Sequence, residues 1–319
     1  MEGKWRWILI TSIAPIVWGA NYVVTHQLLP AENPLWGSVL RALPAGLVLL
    51  LVTRSMPHGS WWWKSIVLGT LNVGAFFVLV YIAAQRLPSS LAATLMATSA
   101  AVMTVLAWPL LRERPRFPAA VGVVVGFTGV CVMLFSAGAS IDALGIVASL
   151  AAMLMSSFGF ILTKKWGSSE RVLALTSWQL IAGGIVLLPF AVSIEGGIPA
   201  MSAPTLGGFA FVALVATALA YTAWFAGLRH LPAGTVGLVG LLNPVTGVVL
   251  GTLLAAESFG LRQGTGAALV LIGILLGQRG GDRPRQQTAT APGLQSSGPA
   301  AGDDDNSPAP YLAERSASH

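Results

Sequence analysis

Residues 231–257 read LPAGTVGLVGLLNPVTGVVLGTLLAAE, and residues 87–113 read LPSSLAATLMATSAAVMTVLAWPLLRE. Both open on Leu-Pro, close on Glu and run through an apolar stretch long enough to cross a bilayer, which takes about 20 residues. They stand at a fixed offset of 144 residues, with Leu87-Pro88 facing Leu231-Pro232 and Glu113 facing Glu257. The same offset pairs Gly122 with Gly266, Gly129 with Gly273, Phe77 with Tyr221 and Tyr81 with Phe225. A shift of about four residues extends the match to the first apolar stretch, where Trp18-Gly19 faces Phe158-Gly159. The chain is a duplication.

Working outward from the two stretches, apolar segments fall at 6–27, 33–53, 63–86, 89–111, 117–136, 142–163, 172–194, 204–230, 232–255 and 260–278. Of the 319 residues 55% are hydrophobic and 9% charged, with mean hydropathy +0.74; an average soluble domain carries about 25% charged residues. A water-soluble globule is excluded. The segments lack the alternation of barrel strands, and a lipid-exposed backbone must satisfy its own hydrogen bonds, so they are expected to be helices. The fold class is therefore all-α integral membrane, with ten transmembrane helices in two five-helix halves, 1–136 and 137–278. Because five is odd, the second half enters the membrane from the opposite side, which makes the repeat inverted.

Charge sets the expected orientation. Lys4, Arg6, Arg54, Lys64, Arg112, Arg114, Arg116, Lys164, Lys165, Arg171, Arg229, Arg279, Arg283 and Arg285 fall on one side, against Arg86 and Arg262 on the other. The side rich in Lys and Arg is the cytoplasmic one, so both termini are expected there, in a multi-pass protein of the cytoplasmic (plasma or inner) membrane. The net charge of +6 is scattered between apolar runs, which argues against a nucleic-acid partner. The first segment starts with Lys4 and Arg6 like a secretory signal, but it is long and nine more follow, so it reads as a retained anchor. Trp5, Trp7 and Trp61-Trp62-Trp63 stand near cytoplasmic boundaries as expected interface anchors. Residues 279–319, with Gly, Pro, Ser and an Asp303-Asp304-Asp305 run, are expected to form a disordered cytoplasmic tail.

Few polar groups lie inside the segments. Asn243-Pro244 falls mid-span; proline lacks an N–H and clashes four residues back, freeing the Gly240 carbonyl beside an amide side chain, either as a solute ligand or as a packing kink. In the first half Ser99-Ala100 stands at that place, so the proline is missing from the fourth span. Arg41 lies about eight residues, or about 12 Å, into the second span, where a charge faces a polar cavity or snorkels. It either pairs with a solute carboxylate or anchors to Asn21 or Gln179. Gln179 takes the matching place in the seventh span, a neutral amide for a cation. Trp18, Tyr22 and Thr25 share one helical stripe; with Asn21, Tyr81, Tyr221 and Trp224 they supply aromatic and hydrogen-bonding surface for either a core or a cavity wall. Glu113 and Glu257 sit at span ends, and Glu113 is expected to pair with its neighbours Arg112 and Arg114. The pairs Gly122/Gly126, Gly247/Gly251 and Gly273/Gly277 have helix-packing spacing.

These residues, in this order, resemble the drug/metabolite transporter superfamily, specifically its ten-span exporters with two EamA-type repeats. The carriers are Trp18-Gly19, Asn33-Pro34 with Arg41, the Leu-Pro pairs opening spans four and nine, Asn243-Pro244, and Glu113 with Glu257. The resemblance implies a secondary carrier that exports small metabolites, amino acids or toxic organic compounds among them, from a central cavity between ten helices. The partners it implies are a small solute and the lipid bilayer; nothing in the sequence demands an oligomer, and a monomer is compatible with it. A channel or a non-transporting membrane scaffold stays open at this point. An enzyme is not expected: His26, His58, His230 and His319 are scattered, Cys131 is alone, and no metal cluster, phosphate-cradling loop or cofactor motif is present.

Overall fold

Apolar side chains reach outward along nearly every helix of the chain. Leu47, Val105, Val124 and Leu154 are exposed although they sit well inside hydrophobic helices, which is the arrangement a lipid-facing surface requires. The computed structural model describes residues 2–87, 92, 95–114, 117–134, 142–167, 169–254 and 260–279. Within that set the side chains at 2, 22, 26, 133, 134, 248, 251–254, 263, 278 and 279 are not described. The described residues lie in one unit spanning 1–282; the tail expected beyond Arg279, like Pro88 and Glu257, lies outside them.

In chain order the helices are α1 (Glu2–Leu28), α2 (Pro34–Thr53), α3 (Trp61–Gly69), α4 (Ala75–Arg86), α5 (Ser99–Leu111), α6 (Phe117–Leu134), α7 (Ala143–Trp166), α8 (Val172–Phe190), α9 (Ala203–Ala210), α10 (Ala220–His230), α11 (Ala233–Gly240), α12 (Leu242–Leu254) and α13 (Leu261–Arg279). No strand occurs among the described residues. Wide π turns join α3 to α4 (Thr70–Gly74), extend α8 (Ala191–Glu195) and join α9 to α10 (Phe211–Leu219). Six helical stretches are long and apolar enough to cross a membrane: Gly3–Thr25, Pro34–Thr53, Trp61–Arg86, Ala143–Trp166, Val172–Glu195 and Ala203–His230. Shorter apolar helices cover Leu95–Leu111, Phe117–Val132 and Gly264–Gly277.

Local chemistry explains the ends. Pro34, which has no N–H to waste, opens α2, and Arg54 closes it in the left-handed conformation (φ 49°). Asp142 caps α7, its side chain accepting the Gly145 N–H at 2.8 Å, while Lys164 and Lys165 lie in the last turn, where the helix dipole favours cations.

The apolar segment 232–255 is broken at Leu241, between α11 and α12, as a proline at 244 requires. The other Leu-Pro segment is interrupted as well, without a proline. A turn at Thr98 precedes α5; there the backbone N–H and the hydroxyl both return to the Leu95 carbonyl, at 3.2 and 2.6 Å. Threonine here does what proline does in the second segment, by offering the backbone a competing hydrogen bond.

The most extensive helix contacts are α6 on α13 and α2 on α8. The first is a backbone seam: a Cβ added to Gly122 would lie 2.5 Å from the Gly273 carbonyl oxygen, and one on Gly129 would lie 2.6 Å from that of Gly266. In the second, a Cβ on Gly46 would meet Ile181 at 2.7 Å and one on Gly184 would meet Leu43 at 2.6 Å. Around these pairs α1 packs on α10 and α12, and α7 packs on α4 and α5. The buried centre is aromatic, with Phe77, Phe160, Tyr221, Trp224 and Phe225 in one cluster.

The tryptophans expected as interface anchors differ in exposure. Trp61 is buried against Trp178, and Trp7 stacks on His230 at 3.5 Å, while Trp5, Trp62 and Trp63 are exposed. In a run of three consecutive residues on a helix, one side chain must face inward.

Candidate functional site

A cavity of about 60 Å³ lies in the middle of the bundle. Its wall takes Trp18 and Asn21 from α1, Arg41 from α2, Phe76 and Val80 from α4, and Met96, Ala97 and Ser99 from the interrupted segment leading into α5. Ser156 and Phe160 come from α7, Trp224 from α10, Gly240 from α11, and Asn243 and Pro244 from α12.

The wide turn Phe211–Leu219 positions two of these groups. An α-helix uses each carbonyl for its own ladder, whereas a π turn loosens that ladder and leaves oxygens for side chains. The Ala216 carbonyl accepts from Trp18 Nε1 at 3.0 Å and from an Arg41 terminal nitrogen at 3.3 Å; the Thr217 hydroxyl accepts from Arg41 Nε at 2.7 Å. The guanidinium also lies 4.0 Å from the centroid of the Phe77 ring. Arg41, only 7% exposed, is thus anchored to Thr217 and Ala216, not to the Asn21 or Gln179 considered from sequence. Trp18 meets Tyr221 and Trp224 with ring centroids 5.4 and 5.2 Å apart, making one aromatic wall.

Three buried polar atoms on this wall have no hydrogen-bond partner: Asn21 Oδ1, Asn243 Oδ1 and Trp224 Nε1. Ser65 Oγ, Asn72 Oδ1, Gln85 Nε2 and Ser149 Oγ, away from this wall, are likewise buried without a partner among the described residues.

Of the residues singled out from sequence, Trp18, Asn21, Arg41, Ser99, Trp224, Asn243 and Pro244 meet at this cavity. Gln179, Tyr81 and Tyr221 do not line it. Gln179 is sealed in a network in which Asn72 Nδ2 donates to Gln179 Oε1 at 2.7 Å and to the Thr163 hydroxyl at 3.0 Å. The Tyr221 hydroxyl donates to the Asn72 carbonyl at 2.8 Å, within the turn Thr70–Gly74. The Tyr81 hydroxyl donates to the Pro30 carbonyl and borders a smaller space beside Arg41 with Thr25 and Ser38. The Tyr22 side chain lies outside the described residues. Asn72, Ser156, Phe160, Thr163 and Thr217 were missed. Asn72 and Ser156 were findable as polar residues inside apolar segments, but nothing in the sequence marks the wide turns that make Asn72 and Thr217 useful.

A second cavity, of about 810 Å³, opens at the end of the bundle that carries Lys4, Arg112, Arg114 and His230. Thr104, Gly234 and Thr235, on the helices that also border the central cavity, line its inner part. At its rim Glu113 pairs with Lys164 at 2.7 Å and accepts the Ala233 N–H at 2.8 Å. Lys164 takes the place of the expected Arg112 and Arg114, because Arg112 adopts a left-handed conformation (φ 57°) that turns the chain back at the end of α5. The opposite end is tied by Glu195, whose two oxygens accept the Leu35 and Trp36 N–H groups at 2.7 and 2.9 Å and so cap the positive end of α2.

A helical bundle with an apolar exterior and helices long enough to cross a bilayer is the arrangement of a multi-pass membrane protein. The model of the EamA-like transporter family matches residues 5–135 and again 143–277. This chain belongs to that family. Protein PecM of Dickeya dadantii is 34% identical over 267 residues, covering 83% of this chain and 90% of that protein. A probable amino-acid metabolite efflux pump of Salmonella typhimurium is 27% identical over 288 residues, covering 84% of this chain and 93% of that protein. One solved crystal structure superposes with TM-score 0.70 at 15% identity, covering 87% of this chain and 99% of the other, a likeness of fold.

Proposed function

We propose that the protein is a secondary-active exporter of small metabolites, with amino acids, related compounds and toxic organic compounds as its solute range, working by alternating access. The observation that carries this reading is the central cavity, whose polar wall draws on both sequence repeats: Asn21, Arg41 and Ser99 from 1–136, Trp224 and Asn243 from 137–278. A site between two related bundles can be exposed first to one side and then to the other.

The reading includes ten spans in an inverted repeat, both termini in the cytoplasm and the cytoplasmic membrane as location. The charge asymmetry supports the orientation. Reciprocal contacts support the repeat: Gly122 meets Gly273 while Gly129 meets Gly266, and Gly46 meets Ile181 while Gly184 meets Leu43. Contacts in which one residue meets the mate of another, and that other meets the first one's mate, are the mark of a two-fold relation. The substrate-binding set is Trp18, Asn21, Tyr22, Arg41, Tyr81, Ser99, Gln179, Tyr221, Trp224, Asn243 and Pro244, the cavity residues contacting solute and the remainder supporting them. The name of the Salmonella relative favours amino-acid metabolites within the range.

Counterflow in proteoliposomes tests the reading. Vesicles loaded with a panel of amino acids and organic cations are expected to exchange one class in a saturable way. Flux that does not saturate would make the protein a channel, and no exchange by folded protein across a broad panel would make it a scaffold.

A further inference from the structure

Arg54 and Arg112 are, among the described residues, the two other than glycine that take the left-handed backbone conformation, at φ 49° and 57°. A Cβ is crowded there, and glycine is the residue that helix ends ordinarily use. Arg54 does not line the large second cavity. Arg112 does, together with Arg114, Lys4 and His230, around a space of about 810 Å³. Glu113, the single acid among the described lining residues, is already engaged: one oxygen pairs with Lys164 at 2.7 Å and the other accepts the Ala233 N–H at 2.8 Å. Arg112 and Arg114 thus border this space with the wall's own carboxylate committed elsewhere. A general preference for Lys and Arg at one end of a membrane protein scatters cations round the rim. It does not account for an arginine held where glycine fits without strain, beside a second arginine and a lysine on one cavity.

We propose that this second cavity is a binding site for a phosphate oxyanion, held by Arg112 and Arg114 with Lys4 as a third positive charge. A guanidinium fork donates two parallel N–H bonds to a phosphate and a lysine serves as a point charge, so this set suits a phosphate monoester better than a halide. At about 810 Å³, against about 60 Å³ for the central cavity, the space takes the phosphate together with the group it is esterified to. That group is a small alcohol in a soluble ester or a diacylglycerol in phosphatidic acid; the headgroup chemistry is the same. The lining draws on both halves of the sequence, with Lys4, Arg112 and Arg114 from 1–136 and His230, Gly234 and Thr235 from 137–278, so a bound oxyanion bridges them. The site stands independently of what the central cavity carries.

Binding is measured with the full chain in two arms at pH 8, where a phosphate monoester carries two charges, and at an ionic strength fixed with potassium chloride. In the first arm, protein in detergent meets labelled inorganic phosphate or glycerol 3-phosphate in equilibrium dialysis, with thermal unfolding followed in parallel. In the second, the protein sits in phosphatidylcholine nanodiscs with equal fractions of either phosphatidic acid or phosphatidylserine, and thermal unfolding is compared. Saturable occupancy is expected in one arm at least, weakened about tenfold or more in Arg112→Gly and in Arg114→Gln. Without phosphate, Arg112→Gly is expected to unfold no earlier than the unaltered protein, because glycine takes the left-handed conformation freely. Arg54→Gly makes the same backbone change away from the cavity and is expected to bind like the unaltered protein.

Saturable binding of the soluble phosphates makes the ligand a free phosphate or its ester. Stabilisation by phosphatidic acid beyond that by phosphatidylserine, with no soluble binding, makes it a lipid headgroup. The proposal is overturned by a phosphate effect no larger than that of chloride, by undiminished binding in both Arg112→Gly and Arg114→Gln, or by no saturable response in either arm. It is overturned equally if Arg54→Gly loses as much binding as Arg112→Gly, since the effect would then belong to overall charge and not to this cavity. Solute counterflow is read in a separate experiment, so failure here leaves the carrier reading untouched.

Discussion

Arg41 on α2 and Gln179 on α8 stand 138 residues apart, the offset that also relates Leu43 to Ile181 and Gly46 to Gly184 across the α2–α8 contact. Each lays its polar head against a wide turn of another helix. Arg41 docks on Phe211–Leu219 through Thr217 and Ala216, and Gln179 docks on Thr70–Gly74 through Asn72. The turns correspond too, since Asn72 and Ala216 are 144 residues apart. The two docks part in chemistry. A neutral amide can be closed off completely, as Gln179 is. A guanidinium costs far more to bury and stays at the edge of the cavity, held by a hydroxyl, a carbonyl and an aromatic face. The two docks hold corresponding places in the sequence, one sealed around an amide and the other bordering the central cavity with a cation.

The comparison breaks most visibly in function. Arg41→Ala, together with Asn243→Ala as a second probe of the cavity, is expected to abolish solute exchange while folded protein remains in the membrane; normal exchange by both variants would remove these residues from the solute path. Next, Thr217→Val takes the acceptor from Arg41 Nε and is expected to lower stability by about 1.5–3 kcal/mol, the range for hydrogen bonds to charged groups, with Thr217→Ser restoring it. Thermal unfolding in detergent checks both variants.

On the neutral side, Gln179→Leu is expected to cost about 1 kcal/mol, typical of interhelical hydrogen bonds in membranes, with saturable exchange retained. Adding Asn72→Leu should then cost less than it does alone, because no orphaned amide is left, and a double-mutant cycle reads that coupling. Loss of exchange in Gln179→Leu at full stability would place Gln179 in the solute path. At the rim, Glu113→Gln is expected to cost about 0.2–1 kcal/mol, since its ion pair with Lys164 is partly open to water.

The smallest effect concerns Asp142, just outside the α7 span. The Gly145 N–H, and then Arg86, hold its carboxyl below the usual aspartate range. A depressed folded pKa gives stability that is present above the unfolded value and lost as pH falls through the folded one. Asp142→Asn should therefore lower stability slightly at neutral pH, leave the acid end unchanged, and so flatten the acid side of a stability-against-pH profile.

Much of the frame was legible because bilayer solubility constrains sequence so strongly: the apolar segments, their ends and the break before Pro244 follow from hydropathy and backbone chemistry alone. The site was legible in part. Asn21, Arg41 and Asn243 stand out because polar groups are rare inside spans, and the structure brings them to one cavity. Tyr81 and Tyr221 looked equivalent to Trp18 and Trp224 in sequence, but only the latter line the cavity. Each residue step along a helix turns a side chain by about 100°, and which direction faces the centre is fixed by packing against several neighbours at once. The turn at Thr98 and the wide turns at 70–74 and 211–219 carry no distinctive residue, so the sites they create for Tyr221, Trp18 and Arg41 could not be read in advance.

The glycine seam between α6 and α13 has a mechanical consequence. Where backbone lies on backbone, there are no side chains whose rotamers could change to accommodate sliding, and a helix shifted by one residue would drive a neighbouring Val or Leu into the gap that only glycine leaves. Such a joint has one register, like a welded rib. In the alternating access proposed above, the change of shape would fall where the chain is already interrupted, at Thr98 before α5 and at Leu241 between α11 and α12, with the α6–α13 rib giving those helices something to move against.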